Sequence, residues 1–263
     1  MLCKNCKIAI DSTDNYCKNC GGKIIKKRLT IQNLFEHFSA QFLNYDNLFL
    51  QTFICLFTKP EDVIGGYIDG VRKKYINPIS YFALAITLAG FQIYIIKTFF
   101  PEGLDLSNIT IEGQEEFANS YFSFIQDYQS LILPLFVPAY ALMSKIVFYN
   151  YKKYNYTEHL VTFLYILSQL TIAMILPVIT FTGLGYTYGD FTMFTIIFQI
   201  TYSAYCLKRV FALSFKKLLL KTLLFFVVFS LLYVLAIILF IAIMIMIYGG
   251  LEGFAEAFGS ISQ

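Results

Sequence analysis

Long apolar runs constrain this chain more than any other feature. From Pro78 to Tyr248 the sequence is dominated by Phe, Leu, Ile, Val and Ala, broken by short polar turns. A helix that crosses a bilayer needs about 20 mostly apolar residues to cover a hydrocarbon core of about 30 Å. Five stretches meet that requirement: Pro78 to Phe100, about Leu131 to Tyr149, about His159 to Phe181, Phe191 to about Leu207, and Leu218 to Tyr248. The last exceeds a straight crossing, so it tilts or begins in the interface. The composition is 57% hydrophobic and 14% charged, whereas soluble domains carry roughly 25% charge. An ordinary water-soluble globule is excluded. With 28 Phe and 20 Tyr, so is a disordered chain.

The expected fold is an all-α integral membrane protein with about five transmembrane helices. Short interfacial helices and a small N-terminal zinc-ribbon-like module precede them. The zones are 1–28 for the cysteine module, 29–77 for amphipathic juxtamembrane helices, 78–248 for the bundle and 249–263 for a short tail. In the second zone Ile31, Leu34, Phe35, Phe38 and Phe42 recur at helical spacing, with Thr30 as a plausible N-cap. Residues 48–57 form a further helix, too short to cross. Pro60 with Glu61 and Asp62 suits the first turn of another.

Charge sets the expected orientation. With the N-terminus in the cytosol, every one of the 20 Lys and Arg residues except Lys97 falls on the inner side, as the positive-inside rule requires. The outer loop 101–127 carries Glu102, Asp105, Glu112, Glu115, Glu116 and Asp127 and no basic residue. The expected location is a bacterial inner membrane, N-terminus cytosolic and C-terminus outside, with the lipid bilayer as first partner. No secretory signal is visible at the start. The lysines of the first zone fit a juxtamembrane segment, so no nucleic acid is expected. Apolar surfaces on the spans could face lipid or a second copy, so a homo-oligomer stays open.

The first zone reads Cys3-x2-Cys6-x10-Cys17-x2-Cys20. Each C-x2-C pair can form a knuckle whose thiolates face one ion, and two knuckles complete a tetrahedral sulfur shell suited to structural Zn2+. A closed shell leaves no position for a water nucleophile, so its role is folding. A module of about 20 residues has no core of its own and takes its folding free energy from the metal. Disulfides require an oxidising compartment, and a redox pair requires a βαβ context. An S4 iron centre is the alternative the spacing leaves open. Cys55 and Cys206 stand alone on apolar segments, as small core residues do.

A polar set gathers at the expected cytosolic end: Asp46, Arg72, Tyr75, Glu158 and His159. An acid beside a histidine at a membrane boundary can handle protons or bind a headgroup. The plainer reading is a helix start, with Thr157 as cap and Glu158 complementing the dipole. Arg72, Lys73 and Lys74 before the first span can meet anionic lipid. No phosphate-binding glycine loop, catalytic triad or H-E-x-x-H is present, and no acid lies at mid-depth. Pro134, Pro138 and Pro177 kink their helices. A non-enzymatic role is expected: an anchor or adaptor whose zinc site docks a cytosolic partner. The alternative is a transporter or lipid-handling bundle, which a polar cavity between spans two, three and four would favour.

Residues 46–78 read Asp46-x2-Phe49-x2-Thr52-x7-Pro60-x6-Tyr67-x2-Gly70-x-Arg72-x2-Tyr75-x2-Pro78. This arrangement, with the cysteine module before it and Tyr156-Thr157-Glu158-His159-Leu160-Val161 after it, resembles a bacterial family of multi-pass membrane proteins of unknown function, the domain of unknown function 3667 type. The specific part of the resemblance covers roughly residues 1–90. It implies the membrane class and the zinc ribbon, and it implies no activity.

Overall fold

The computed structural model describes residues 2, 3, 6–9, 11, 14–21, 48–104 and 115–247; side chains at 115–120 and at several positions after 235 are left aside. The expected helix over 31–42, His37, Asp46 and the tail 249–263 lie outside the described residues. The chain divides into two units, 1–50 and 51–263.

Among the described residues the larger unit is helical and contains no strand. Its helices are α1 (Leu48–Thr58), α2 (Pro60–Ile68), α3 (Pro78–Phe99), α4 (Glu115–Asp127), α5 (Gln129–Val147), α6 (Tyr156–Gly183), α7 (Tyr188–Val210) and α8 (Phe215–Ile247). A 3-10 turn, Pro101–Leu104, follows α3. Each expected span corresponds to a helix within a few residues. Four are long and apolar enough to cross a membrane: α3, α5, α6 and α8 over Phe215–Leu239. The remaining one, α7, has 23 residues and so reaches about 35 Å at 1.5 Å per residue. Asp190, Lys208 and Arg209 at its ends leave it more polar than the other four.

Local chemistry fixes the helix starts. Asn77 accepts from the Ser80 N–H at 2.9 Å and Pro78 occupies the first turn of α3, where its missing donor costs nothing. At α6 the cap is Asn155, not Thr157. Asn155 accepts from the Glu158 N–H at 3.0 Å, and Glu158 accepts from the Asn155 N–H at 2.6 Å. This reciprocal box satisfies two orphan donors, one more than a threonine one residue before the glutamate could. Thr187 and Asp190 repeat the box at α7. Helix α4 falls in the stretch read as an outer loop; its apolar residues at 117, 121, 122, 124 and 125 follow a helical stripe.

Helix α6 is the centre of the bundle, packed against α2, α3, α5 and α7. Its residues from Thr162 to Leu170 are all buried. By contrast α8 leans mainly on α5 and α7, touches α6 through the Phe163–Phe225 ring pair, and leaves most of its apolar surface exposed, which suits lipid contact. At one end of the bundle Ile96, Val178 and Phe191 form an apolar cluster with Phe100, Leu104, Met174 and Tyr188 around it. Gly103 is needed there: a Cβ at this position would lie 2.9 Å from Thr182 Cγ2 and 3.0 Å from Thr182 Cβ.

Short helices α1 and α2 are pinned to the bundle through α1 carbonyls. Gln169 Nε2 donates to the Phe53 carbonyl at 3.0 Å, Tyr202 to the Leu56 carbonyl at 3.0 Å, and Tyr205 to the Thr58 carbonyl at 3.2 Å. The last carbonyls of a helix have no partner within it. Tyr202 and Tyr205 of α7 supply partners for two of those carbonyls, and Gln169 of α6 adds a bond in mid-helix, so an 11-residue helix too short to cross is held against the spans.

Candidate metal centre and bundle sites

The two knuckles of the N-terminal unit share one backbone plan. Lys7 N–H donates to the Cys3 carbonyl at 2.9 Å, and Gly21 N–H donates to the Cys17 carbonyl at 2.8 Å. In both, the residue after the second cysteine is left-handed, with φ of 62° at Lys7 and 68° at Gly21. Glycine accepts that conformation freely, whereas lysine carries a cost. The strain at Lys7 is held by the Cys3 N–H, which donates to the Ile8 carbonyl at 2.9 Å, and by the bridge between Leu2 and Ala9.

These turns bring all four thiols together. The Sγ atoms of Cys3, Cys6, Cys17 and Cys20 lie within 4.8 Å of one another. Cys3 to Cys20 is 3.7 Å and Cys6 to Cys17 is 3.6 Å. A disulfide would require about 2.05 Å, so no pair is bonded. A zinc ion with Zn–S near 2.3 Å imposes an edge of about 3.8 Å on a regular S4 tetrahedron, and these separations approach it. The four-sulfur donor set therefore fits a tetrahedral thiophilic ion. Cys3 and Cys17 are buried while Cys20 is exposed, so the knuckle tips remain at the surface of this small module. Cys206 is fully buried in the bundle, away from any such set.

Four of the five polar residues singled out in the sequence are described, and they fall into two contact groups. Arg72 and Tyr75 belong with α2. The Arg72 guanidinium sits 5.4 Å from the centre of the Tyr67 ring. The buried Tyr75 donates its hydroxyl to Asp62, which also pairs with Lys74 at 2.6 Å. The Lys74 ammonium, then the Tyr75 hydroxyl, hold the Asp62 carboxyl below its ordinary value. Burial, followed by the bond to Asp62, pushes the Tyr75 hydroxyl well up. Next to this group Arg209 of α7 donates twice to Glu61 and lowers its carboxyl in turn.

Glu158 and His159 belong with the C-terminal ends of α5 and α7. Glu158 is half-buried and committed to the cap of α6. His159 is fully buried, with Nδ1 at 2.9 Å from Ser144 Oγ and its ring stacked on Phe211 at 5.4 Å. Its Nε2 has no hydrogen-bond partner among the described residues. Two lysines cap the same region: Lys145 donates to the Tyr154 carbonyl and Lys221 to the Val147 carbonyl, each at 2.6 Å. Lys221 also lies over the Phe148, Tyr149 and Tyr151 rings, as cations do at a helix C-terminus lined by aromatics.

Sequence reasoning missed the interior of the bundle. A cavity of about 400 Å³ lies among α3, α4, α5, α6 and α7, and a second of about 420 Å³ among α5, α6, α7 and α8. They share Tyr140, Leu167 and Gln199 in their walls. The first carries Gln92, Gln126, Gln129 and Gln199. A search for ionisable residues in the spans passes over glutamine. The available signal was an amide recurring inside apolar helices, where burial without a partner is costly.

A family model described as a protein of unknown function (DUF3667) matches residues 46–90. That stretch holds α1, α2, the Asp62–Lys74–Tyr75 group and the first part of α3. No curated protein and no solved structure matches the chain.

Proposed function

We propose that this chain is a multi-pass protein of a bacterial inner membrane, with a cytosolic N-terminus and its C-terminus outside. Its four-cysteine module is a structural Zn2+ site that docks a cytosolic protein, and the bundle anchors that module. The role is non-enzymatic. The observation that carries the reading is the closed set of four thiols within 4.8 Å. Such a shell leaves a metal no open position for substrate, so its use is to fold a small recognition surface. The distribution of lysine and arginine supports the orientation.

Affinity co-purification of the intact protein and its Cys17→Ser form, in mild detergent with metal measured on both, tests this. A partner that disappears together with the metal supports the adaptor. A partner retained by the metal-free form contradicts it.

A second reading is ligand handling by the bundle, as in transport or lipid binding. The cavity among α3 to α7, with its four glutamines, favours it. Among the described residues no lysine, arginine or carboxylate lines that cavity, which disfavours small ions.

A further inference from the structure

Four glutamines line one cavity between the apolar helices of the bundle. Gln92 of α3 and Gln126 of α4 are each only 9% exposed. With Gln129 of α5, Gln199 of α7 and Thr171 of α6, they line the same space. No hydrogen bond joins any of these five side chains to another group among the described residues. Gln169, by comparison, is buried on α6 and fully engaged, accepting from Tyr81 and donating to the Phe53 carbonyl. At Gln169 the amide finds both partners within the fold. At the cavity it does not.

An unpaired amide away from water costs free energy, and at membrane depth each such group is expensive. Gln92 and Gln126 are buried and Gln129 and Gln199 half-buried, so a partner for these amides has to enter the space they line. The walls define its chemistry. Each amide presents a donor and an acceptor, so an apolar molecule would leave both unmet. A charged group would find no counter-ion among the described residues, since no lysine, arginine, aspartate or glutamate of theirs lines the space. A carbonyl-only head would answer the amide donors and leave their oxygens unpaired. Hydroxyls answer both. The Phe122, Phe136, Tyr140 and Tyr188 rings complete the wall, offering flat apolar faces against the C–H side of a sugar ring. The volume of about 400 Å³ falls in the range of small-ligand sites.

We propose that this cavity binds an uncharged, hydroxyl-rich group of the sugar or polyol class, held by the amides of Gln92, Gln126, Gln129 and Gln199. The group arrives either as a free sugar or as the headgroup of a neutral glycolipid. The proposal rests on the second reading above and names its ligand.

Native mass spectrometry of the full chain, released from a detergent without a sugar headgroup, tests it. The probes are monoglucosyldiacylglycerol, maltose, diacylglycerol, phosphatidylglycerol and decylubiquinone, each at equal concentration. The glucolipid or maltose should be retained at least tenfold over diacylglycerol; maltose retention indicates a free sugar, and glucolipid retention without maltose indicates a headgroup. Gln92→Leu and Gln126→Leu should each lower that retention at least tenfold while the melting temperature holds or rises, because the substitution removes an unsatisfied amide. A purely structural amide would lower the melting temperature instead. Equal retention of glucolipid and diacylglycerol by the unaltered chain, with no maltose bound, overturns the proposal whether or not the variants fold. Retention unaffected by both substitutions overturns it too. Glutamine-dependent retention of phosphatidylglycerol or the quinone in place of the sugar overturns the ligand class and leaves ligand handling standing. Retention of no probe overturns both.

Discussion

Single side chains decide how polar groups survive inside this bundle. Tyr81 is fully buried and donates to Gln169, whose amide in turn holds the Phe53 carbonyl. Tyr81→Phe leaves the Gln169 oxygen unpaired in a dry site, at a cost of about 1–3 kcal/mol. A lower melting temperature in detergent, with unchanged helical content, is the expected result. Asp62 offers a pH signature. Lys74 and Tyr75 depress its carboxyl below the ordinary 3.8, so its contribution is complete above that value and disappears as pH falls through the lower folded value. Thermal melts taken downward from pH 6 should show a stable plateau and then an acid decline. Asp62→Asn should flatten part of that decline and lower the plateau by a fraction of a kcal/mol, since the pair is partly exposed. Some residues were legible from sequence because their chemistry is local. Cys3, Cys6, Cys17 and Cys20 sit on short turns, and spacing alone brings each pair together. Glu158 belongs to a capping box, and capping also is local; the choice of Asn155 over Thr157 turned on two positions of register. His159 is different. Its burial between Ser144 and Phe211 depends on helices far apart in sequence, which no local pattern reveals.

At the scale of elements, periodicity and length found the long helices because crossing a membrane imposes both. They failed for α4, which is amphipathic and short and lay in an acidic loop. They also gave no account of why α1 and α2 stay in place. Both are held by long-range bonds from Gln169, Tyr202, Tyr205 and Arg209. Tyr202→Phe should free the Leu56 carbonyl, and hydrogen exchange in 51–58 should then quicken several-fold while α6 exchange stays unchanged. Equal acceleration throughout would instead mean that α1 and the bundle open as one. The 3-10 turn after α3 is a second test of element packing. Gly103→Ala forces a methyl into Thr182, and overpacking of this kind costs about 1–3 kcal/mol. Restoring space with Thr182→Ser removes the crowding methyl and should recover part of that loss.

For the whole molecule, the cysteine module and the bundle fall in separate compact units. Their stabilities should separate too. Chelation, or Cys17→Ser, should abolish the fold of the cysteine module and leave the thermal transition of the bundle in place. The sequence-level expectation of an all-α membrane architecture agrees with the helices described, four of them long and apolar enough to cross. The cavity was not legible, because a void is a property of how five helices meet and uncharged amides give no electrostatic warning. The most direct test of the account is X-ray absorption at the zinc edge on the purified full chain, with metal content measured alongside. The account predicts one zinc per chain with four sulfur neighbours at about 2.3 Å. A metal-free module, or a first shell containing oxygen or nitrogen, would contradict it.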